Sequence, residues 1–287
     1  MKIRVSIMEL NVIYNQNCIV GMQSLPDCCV DVIIADPPYN LSKGNDLKWD
    51  NSVALSGMGG NWNKVMENWD NMTFEEYWTF TEEWLTQAKR ILKPTGSMWI
   101  FGSYHNIGII NVLCQKLGIE IINEIVWYKR NAFPNLSGRR LTASHETIIW
   151  GHVGKAKRQY YFDYEYSKNG GFEGDNLKKP GKQMRTVWDI PNNKEKEELG
   201  WCEHPTQKPL KILKRILKLS SKPGDVMLTP FSGSGSECVA AKMLGRNYIG
   251  YEIDEQYFRA SIDRLNGTTE NSDYEQLTLF SPAEEDE

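Results

Sequence analysis

Short apolar runs, each stopped by glycine, proline or a charge, recur along the chain. VDVIIA (30–35), SMWIFGS (97–103), IEIINEIVWYK (119–129), HETIIWGHV (145–153), DVMLTP (225–230) and RNYIGYE (246–252) each predict a strand. Several are continuously apolar, as a strand covered on both faces must be. Residues 1–35 read as a short strand, a turn and then VDVIIA. Helical spacing appears between these runs. Thr73 opens one helix, with Glu76 placed for a capping box. Phe74, Trp78, Leu85 and Ile91/Leu92 then share its apolar side, and LKPTG ends it with Pro94 and Gly96 as breakers. Another helix runs to Leu117–Gly118, and a basic amphipathic one opens near Pro209. Strands alternating with helices predict an α/β fold: a Rossmann-like, mainly parallel sheet with helices on both faces.

The periodicity fails in two places. Residues 41–71 are rich in glycine and asparagine, and a loop this long in a compact domain is usually functional or disordered. Residues 152–203 are basic, aromatic and punctuated by glycine, which predicts a recognition insert rather than a core layer.

Charge changes the picture only once it is divided. The net charge is −4, yet residues 268–287 carry seven acids and no base, so the rest of the chain stands at +3. Residues 125–145 hold four bases and no acid, and residues 151–190 hold eight bases against five acids. Bases interleaved with aromatic rings suit a nucleic-acid backbone, or form a plain solvated face. Ten tryptophans and thirteen tyrosines add rings suited to stacking flat ligands. The six cysteines form no CxxC pair and the four histidines no metal spacing, so we expect a reduced, cytoplasmic protein without metal. No run of 18 apolar residues or secretion signal is present.

FSGSGS (231–236) follows a predicted strand and opens a helix. Gly233 and Gly235 let backbone approach a ligand, and the helix start offers free N–H groups. A Walker loop is excluded because no Gly-Lys-Ser/Thr occurs, and Cys238 stands where a dinucleotide fingerprint has its third glycine. A nucleoside needs only the close approach and an acid for the ribose. Glu252, seventeen residues past Gly235 at the tip of the next strand, fits that need. A bare structural turn stays open.

DPPYN (36–40) ends the strand VDVIIA on a carboxylate. Ligands of parallel sheets bind at such ends. Pro37 and Pro38 remove two backbone donors and hold the chain stiff. Asp36 and a proline carbonyl then form an acceptor-only corner, which suits an –NH₂ group. Tyr39 supplies a face for the ring bearing that amine, and Asn40 a polar contact. The plain alternative is an X-Pro turn.

DPPYN, then FSGSGS, with HPTQKP (204–209) between them, resemble the β-group amino-methylating DNA methyltransferases that use S-adenosylmethionine. The chain is most similar to adenine-N6 enzymes of bacterial restriction–modification systems, over about residues 12–266. The resemblance implies a catalytic and cofactor-binding domain at 1–130 and 204–267, target recognition at 131–203 and an acidic tail at 268–287. It implies that Asp36 and the Pro37 carbonyl, braced by Pro38, grip the N6 amine while Tyr39 stacks on the flipped base. Cofactor contacts would come from Asn17, Cys18, Asp36, His204, Thr206, Lys208, Phe231, Gly233, Gly235 and Glu252. Asn40, Lys129, Arg130, Arg139, Arg140, Lys155, Lys157 and Arg158 would meet DNA. Thr229, Asn17 and Ser236 depart from the residues common in the family.

QLTLF (276–280) resembles the short peptide that docks on a bacterial replication sliding clamp. The sequence leaves the oligomeric state open. Rival readings are an N4-cytosine or RNA amino-methyltransferase, a nicotinamide oxidoreductase and a non-catalytic DNA-binding relative.

Overall fold

The computed structural model describes residues 8–40, 72–132, 139–155, 159–170, 181–192 and 207–268, with residues 172, 174, 175, 177, 179 and 198. Eight strands form one sheet. They are β1 (Val12–Asn15), β2 (Val30–Ala35), β3 (Leu92–Gly102), β4 (Glu120–Tyr128), β5 (His145–His152), β6 (Val187–Asp189), β7 (Val226–Thr229) and β8 (Asn247–Glu252). Their order is β1-β8-β7-β2-β3-β5-β4-β6. Only β5 runs antiparallel to its two neighbours; the other pairings are parallel. The predicted α/β class with a mainly parallel sheet is therefore observed.

Side chains of a strand alternate between the sheet's two faces, and each face has its own core. Ile33, Ala35, Met98, Ile100 and Ile149 pack under α1 (Cys18–Gln23), α2 (Phe74–Ile91) and α3 (Ile107–Lys116). Val32, Ile34, Trp99, Phe101, Trp127, Ile148 and Trp150 pack on the other face. Four helices belong to that side of the chain's core: α4 (Tyr164–Asn169), α5 (Leu210–Ser220), α6 (Ser236–Met243) and α7 (Glu255–Asn266). Among the described residues no helix is long and apolar enough to cross a membrane.

Thr73 caps α2 through the expected capping box with Glu76. The buried side of α2 differs from the predicted one. It consists of Tyr77, Thr81, Trp84, Leu85, Ala88 and Ile91, while Phe74 is 59% exposed. Phe74 lies in the first turn, ahead of where α2 meets the sheet. LKPTG ends α2 as expected, and its residues already belong to the next strand. β3 starts at Leu92, and pairing jumps from Val30↔Leu92 to Val32↔Ser97. The Pro94–Gly96 region is thus a bulge within the strand, which lets the chain turn straight from α2 into the sheet. Helix α1 stands where the sequence predicts only a turn, because six residues are too few to show a helical period.

Burial cuts across two expectations drawn from composition. Parts of the 152–203 segment join the core. Phe172, Trp188 and Ile190 are buried, and the buried Arg215 of α5 pairs with Asp175 at 2.8 Å. Among the described residues, Trp84, Trp99, Trp127, Trp150 and Trp188 are core residues rather than exposed stacking surfaces. Trp99 and Trp150 stack on each other at 4.8 Å inside the core. The indole N–H groups of Trp99, Trp127, Trp150 and Trp188 donate to Ser220, Ile190, Ser97 and Arg185 respectively.

Candidate active site

Asp36 follows the last residue of β2, and Phe231 lies just past the end of β7. β2 and β7 are parallel neighbours, paired through Val32↔Met227 and Ile33↔Leu228. Adjacent strands lie about 4.8 Å apart, so the DPPY corner and the glycine turn emerge side by side at the carboxyl edge.

At the DPPY corner, Asp36 is met by groups distant in sequence. The Lys208 ammonium, only 2% exposed, donates to Asp36 Oδ2 at 2.5 Å and lies 3.6 Å from Glu146 Oε2. The Tyr39 hydroxyl lies 2.9 Å from Asp36 Oδ1 and 3.0 Å from Glu146 Oε2. A hydroxyl has one hydrogen, so it donates to one carboxylate at a time. Lys129 closes the cluster by an ion pair with Glu146. Two cations thus face two anions in a nearly dry corner.

Burial raises the Asp36 pKa, and Lys208 offsets this only partly. Burial also works against charge on Glu146, but Lys208 and Lys129 outweigh it and hold the pKa below the ordinary carboxylate value. Lys208 is likewise penalised by burial, yet Asp36 and Glu146 raise its pKa. It stays an ammonium. Tyr39 is pushed well up by burial and by the two carboxylates.

The prolines act as expected on stiffness, and the structure separates their carbonyls. The Pro38 carbonyl accepts from the Tyr77 hydroxyl at 2.9 Å and faces the Asn106 amide at 3.5 Å. Its acceptor capacity is spent on bracing the corner against α2 and α3.

The glycine turn has opposite chemistry. Gly233 adopts φ 48° and donates its N–H to Glu252 Oε2 at 2.7 Å. Glu252 Oε1 accepts from Asp254 N at 2.8 Å. Burial raises this carboxyl's pKa against the two N–H groups that lower it. Gly235 starts α6 at φ 78°, and a Cβ there would stand 2.8 Å from the Ser261 Cβ. Close packing against α7 therefore demands glycine there. Phe231 packs edge-on to Trp84 and beside Phe80.

Asn17 caps α1, accepting from Ile19 and Val20 N–H groups, next to the turn that leaves β1 beside Glu252. The neighbouring Cys18 is buried, and desolvation pushes its thiol up to about 12, so it packs without reacting. An acid at the tip of β8, a tight glycine turn and the β1–α1 turn converge as a nucleoside cofactor requires. The donor set fits S-adenosylmethionine.

Several residues expected at DNA are placed elsewhere. Asn40 exchanges two hydrogen bonds of 2.9 Å with the Met72 backbone, clasping the chain across residues 41–71. Lys129 is committed to Glu146 and sits 4.5 Å over the Trp127 ring. Lys155 follows the far end of the antiparallel β5, near Pro94 and Gly154, at the edge opposite Asp36. Arg130 pairs with Asp189 at 2.9 Å. Arg139 and Arg140 are exposed at the Asp36 edge, and Arg140 donates to the Tyr104 hydroxyl at 3.0 Å. Lys157, Arg158, His204 and Thr206 lie outside the described residues, as do the 41–71 loop and the QLTLF tail.

Sequence reading missed two acids. Glu146 enters because β5 runs backwards and starts at the site edge. Its only sequence signal is an acid opening an apolar strand. Glu237, buried in the first turn of α6, has its pKa pushed up to about 8 by burial first and by Asp36 next. Lys208, named with Asp36 among the cofactor contacts, donates to Asp36 itself.

The chain is similar to known DNA methyltransferases. The family profile N6_N4_Mtase, described as DNA methylase, matches residues 30–263. The chain is 38% identical over 275 residues to the type II methyltransferase M.HinfI of Haemophilus influenzae, covering 94% of this chain and 72% of that protein. It is 38% identical over 244 residues to the type II methyltransferase M2.DpnII of Streptococcus pneumoniae, covering 85% of each. The crystal structure of the M1.HpyAVI–SAM complex matches with a TM-score of 0.60 at 26% identity, over 88% of this chain and 98% of that one.

Proposed function

We infer the reaction from one premise: the chain belongs to the DNA methylase family. It is a site-specific, S-adenosylmethionine-dependent DNA methyltransferase acting on the exocyclic N6 amine of adenine. This reading holds over the N4-cytosine, RNA, oxidoreductase and non-catalytic alternatives. The observation that carries the site is the Asp36 carboxylate at the end of β2 beside a glycine turn backed by Glu252.

We assign the residue roles as follows. Asp36 and the Pro37 carbonyl accept the two N–H groups of the amine. An adenine amine is a poor nucleophile because its lone pair is conjugated with the ring. Two acceptors draw the nitrogen towards a tetrahedral shape and stabilise the positive charge that grows during attack. Pro38 braces the corner through Tyr77, and Tyr39 presents its ring to the base. Bound S-adenosylmethionine supplies the methyl group, activated by its sulfonium. Asn17, Cys18, Phe231, Gly233, Gly235 and Glu252 line its place, with His204 and Thr206 assigned by motif alone. The base must leave the duplex at a cost of a few kcal/mol.

Recognition is assigned to the surface of 131–203 at the Asp36 edge, with Arg130, Arg139 and Arg140 on phosphates or base edges. Clamp docking by QLTLF rests on the motif; a pull-down in which tail deletion changes nothing removes it. A cytoplasmic location is proposed from sequence alone.

The test is transfer of labelled methyl to mixed-sequence DNA, followed by nucleoside analysis and mapping of the modified sites. N6-methyladenine at one sequence is expected. Label on cytosine or on no base would overturn the reading.

A further inference from the structure

Asp36 keeps only part of its acceptor capacity for an amine. Both of its oxygens are engaged, one by Lys208 at 2.5 Å and the other by Tyr39 at 2.9 Å. Each of these donors also faces Glu146, the hydroxyl at 3.0 Å and the ammonium at 3.6 Å. The two carboxylates therefore share the same two donors. Small movements of the Tyr39 hydrogen and the Lys208 ammonium transfer both donors from one acid to the other.

We propose that Glu146 is a positioning residue for methyl transfer, taking over the Tyr39 hydroxyl and the Lys208 ammonium so that Asp36 can accept the target amine. The proposal rests on the adenine-methylating reading above. No bond is made or broken in the exchange; only hydrogen bonds change partner. Lys129 holds Glu146 from the other side, so its carboxylate stays ionised and in place. Glu146 is also fixed by β5, through the pair Trp127↔Glu146. By pinning the Tyr39 hydroxyl it sets the plane of the ring that meets the base. The ammonium never loses a counter-ion, and a buried charge left alone would cost several kcal/mol.

The titratable groups around Asp36 come from five places: Tyr39 after β2, Lys129 just past β4, Glu146 of β5, Lys208 ahead of α5 and Glu237 of α6. Removing the Glu146 charge leaves Lys208 wholly on Asp36. Asp36 then ionises more readily but is held more tightly.

The experiment measures single-turnover methyl transfer against pH for wild type, Glu146→Gln, Glu146→Asp, Tyr39→Phe and the Gln/Phe double variant. Cofactor affinity is measured by calorimetry on each. Glu146→Gln is expected to lower the rate about 100-fold, the cost of a misplaced reacting group, with cofactor affinity kept within about twofold. The acid limb of its pH profile moves to lower pH. Glu146→Asp keeps the acid limb and gives an intermediate rate. Tyr39→Phe costs less in the Gln background than alone, because the two residues act through one contact. Full rate in Glu146→Gln overturns the proposal. So does a loss with an unmoved acid limb and multiplying effects, or loss of cofactor binding in both the Gln and Asp variants. A silent wild type overturns the adenine reading, and the inference with it; an active wild type beside an equally active Gln variant overturns the inference alone.

Discussion

The turns after β2 and β7 are neighbours at one sheet edge and are chemical opposites. DPPY has lost two N–H donors to proline, and its Asp36 carboxylate is met by Lys208 from the segment before α5 and shares the Tyr39 hydroxyl with Glu146 of β5. FSGSGS keeps its donors, and its acid partner Glu252 is met by backbone N–H groups. An acceptor corner selects a group with hydrogens to give. A donor turn with a backbone-held acid selects a polar nucleoside. Placing them on adjacent strands sets amine and methyl source side by side, and alignment is most of what this reaction needs.

The contrast is broken most severely at its acid. Asp36→Ala should lower methyl transfer by about 10³-fold or more. Lys208 still has Glu146 within 3.6 Å, so the fold and cofactor binding should survive, as calorimetry would show. Next comes Gly235→Ala, which combines a left-handed φ with a 2.8 Å contact on α7. It should cost about 3 kcal/mol of stability, read from denaturant unfolding. Glu252→Gln removes the turn's charge while keeping its shape. Cofactor affinity should fall about 10- to 100-fold in calorimetry, the worth of one charged hydrogen bond.

A smaller effect sits where the two turns meet. Glu237 titrates near 8 when folded, against 4.5 ordinarily. Its raised value means the folded protein holds the extra proton. The stability it contributes is complete below about pH 4.5 and drains away as pH rises through about 8. Wild type should lose about 1 kcal/mol from pH 7 to pH 9 that Glu237→Gln does not lose, measured as the difference in unfolding free energy. Smallest are the surface bases. Arg140→Ala should weaken DNA binding a few-fold at low salt, while Lys155→Ala, at the opposite edge, should leave it unchanged.

Much of the pattern was legible because it is local. VDVIIA announces a buried strand by apolar continuity, and Thr73 with Glu76 announces a helix start through one capping geometry. DPPY and FSGSGS declare their chemistry through residues that constrain their own backbone. Tertiary contacts add what a local reading leaves out. Lys129 and Asn40, which the resemblance implies at DNA, are tied into an ion pair and a backbone clasp.

The amino-acid order by itself determined the alternating fold class, the acceptor corner and the glycine turn, because strand burial, proline's missing N–H and glycine's freedom are properties of each residue and its near neighbours. Only the folded sheet decided that Glu146 and Lys208 surround Asp36. They stand 110 and 172 positions from it. The reversed direction of β5 and the docking of α5 bring them there, and neither leaves a trace in any short window of the chain.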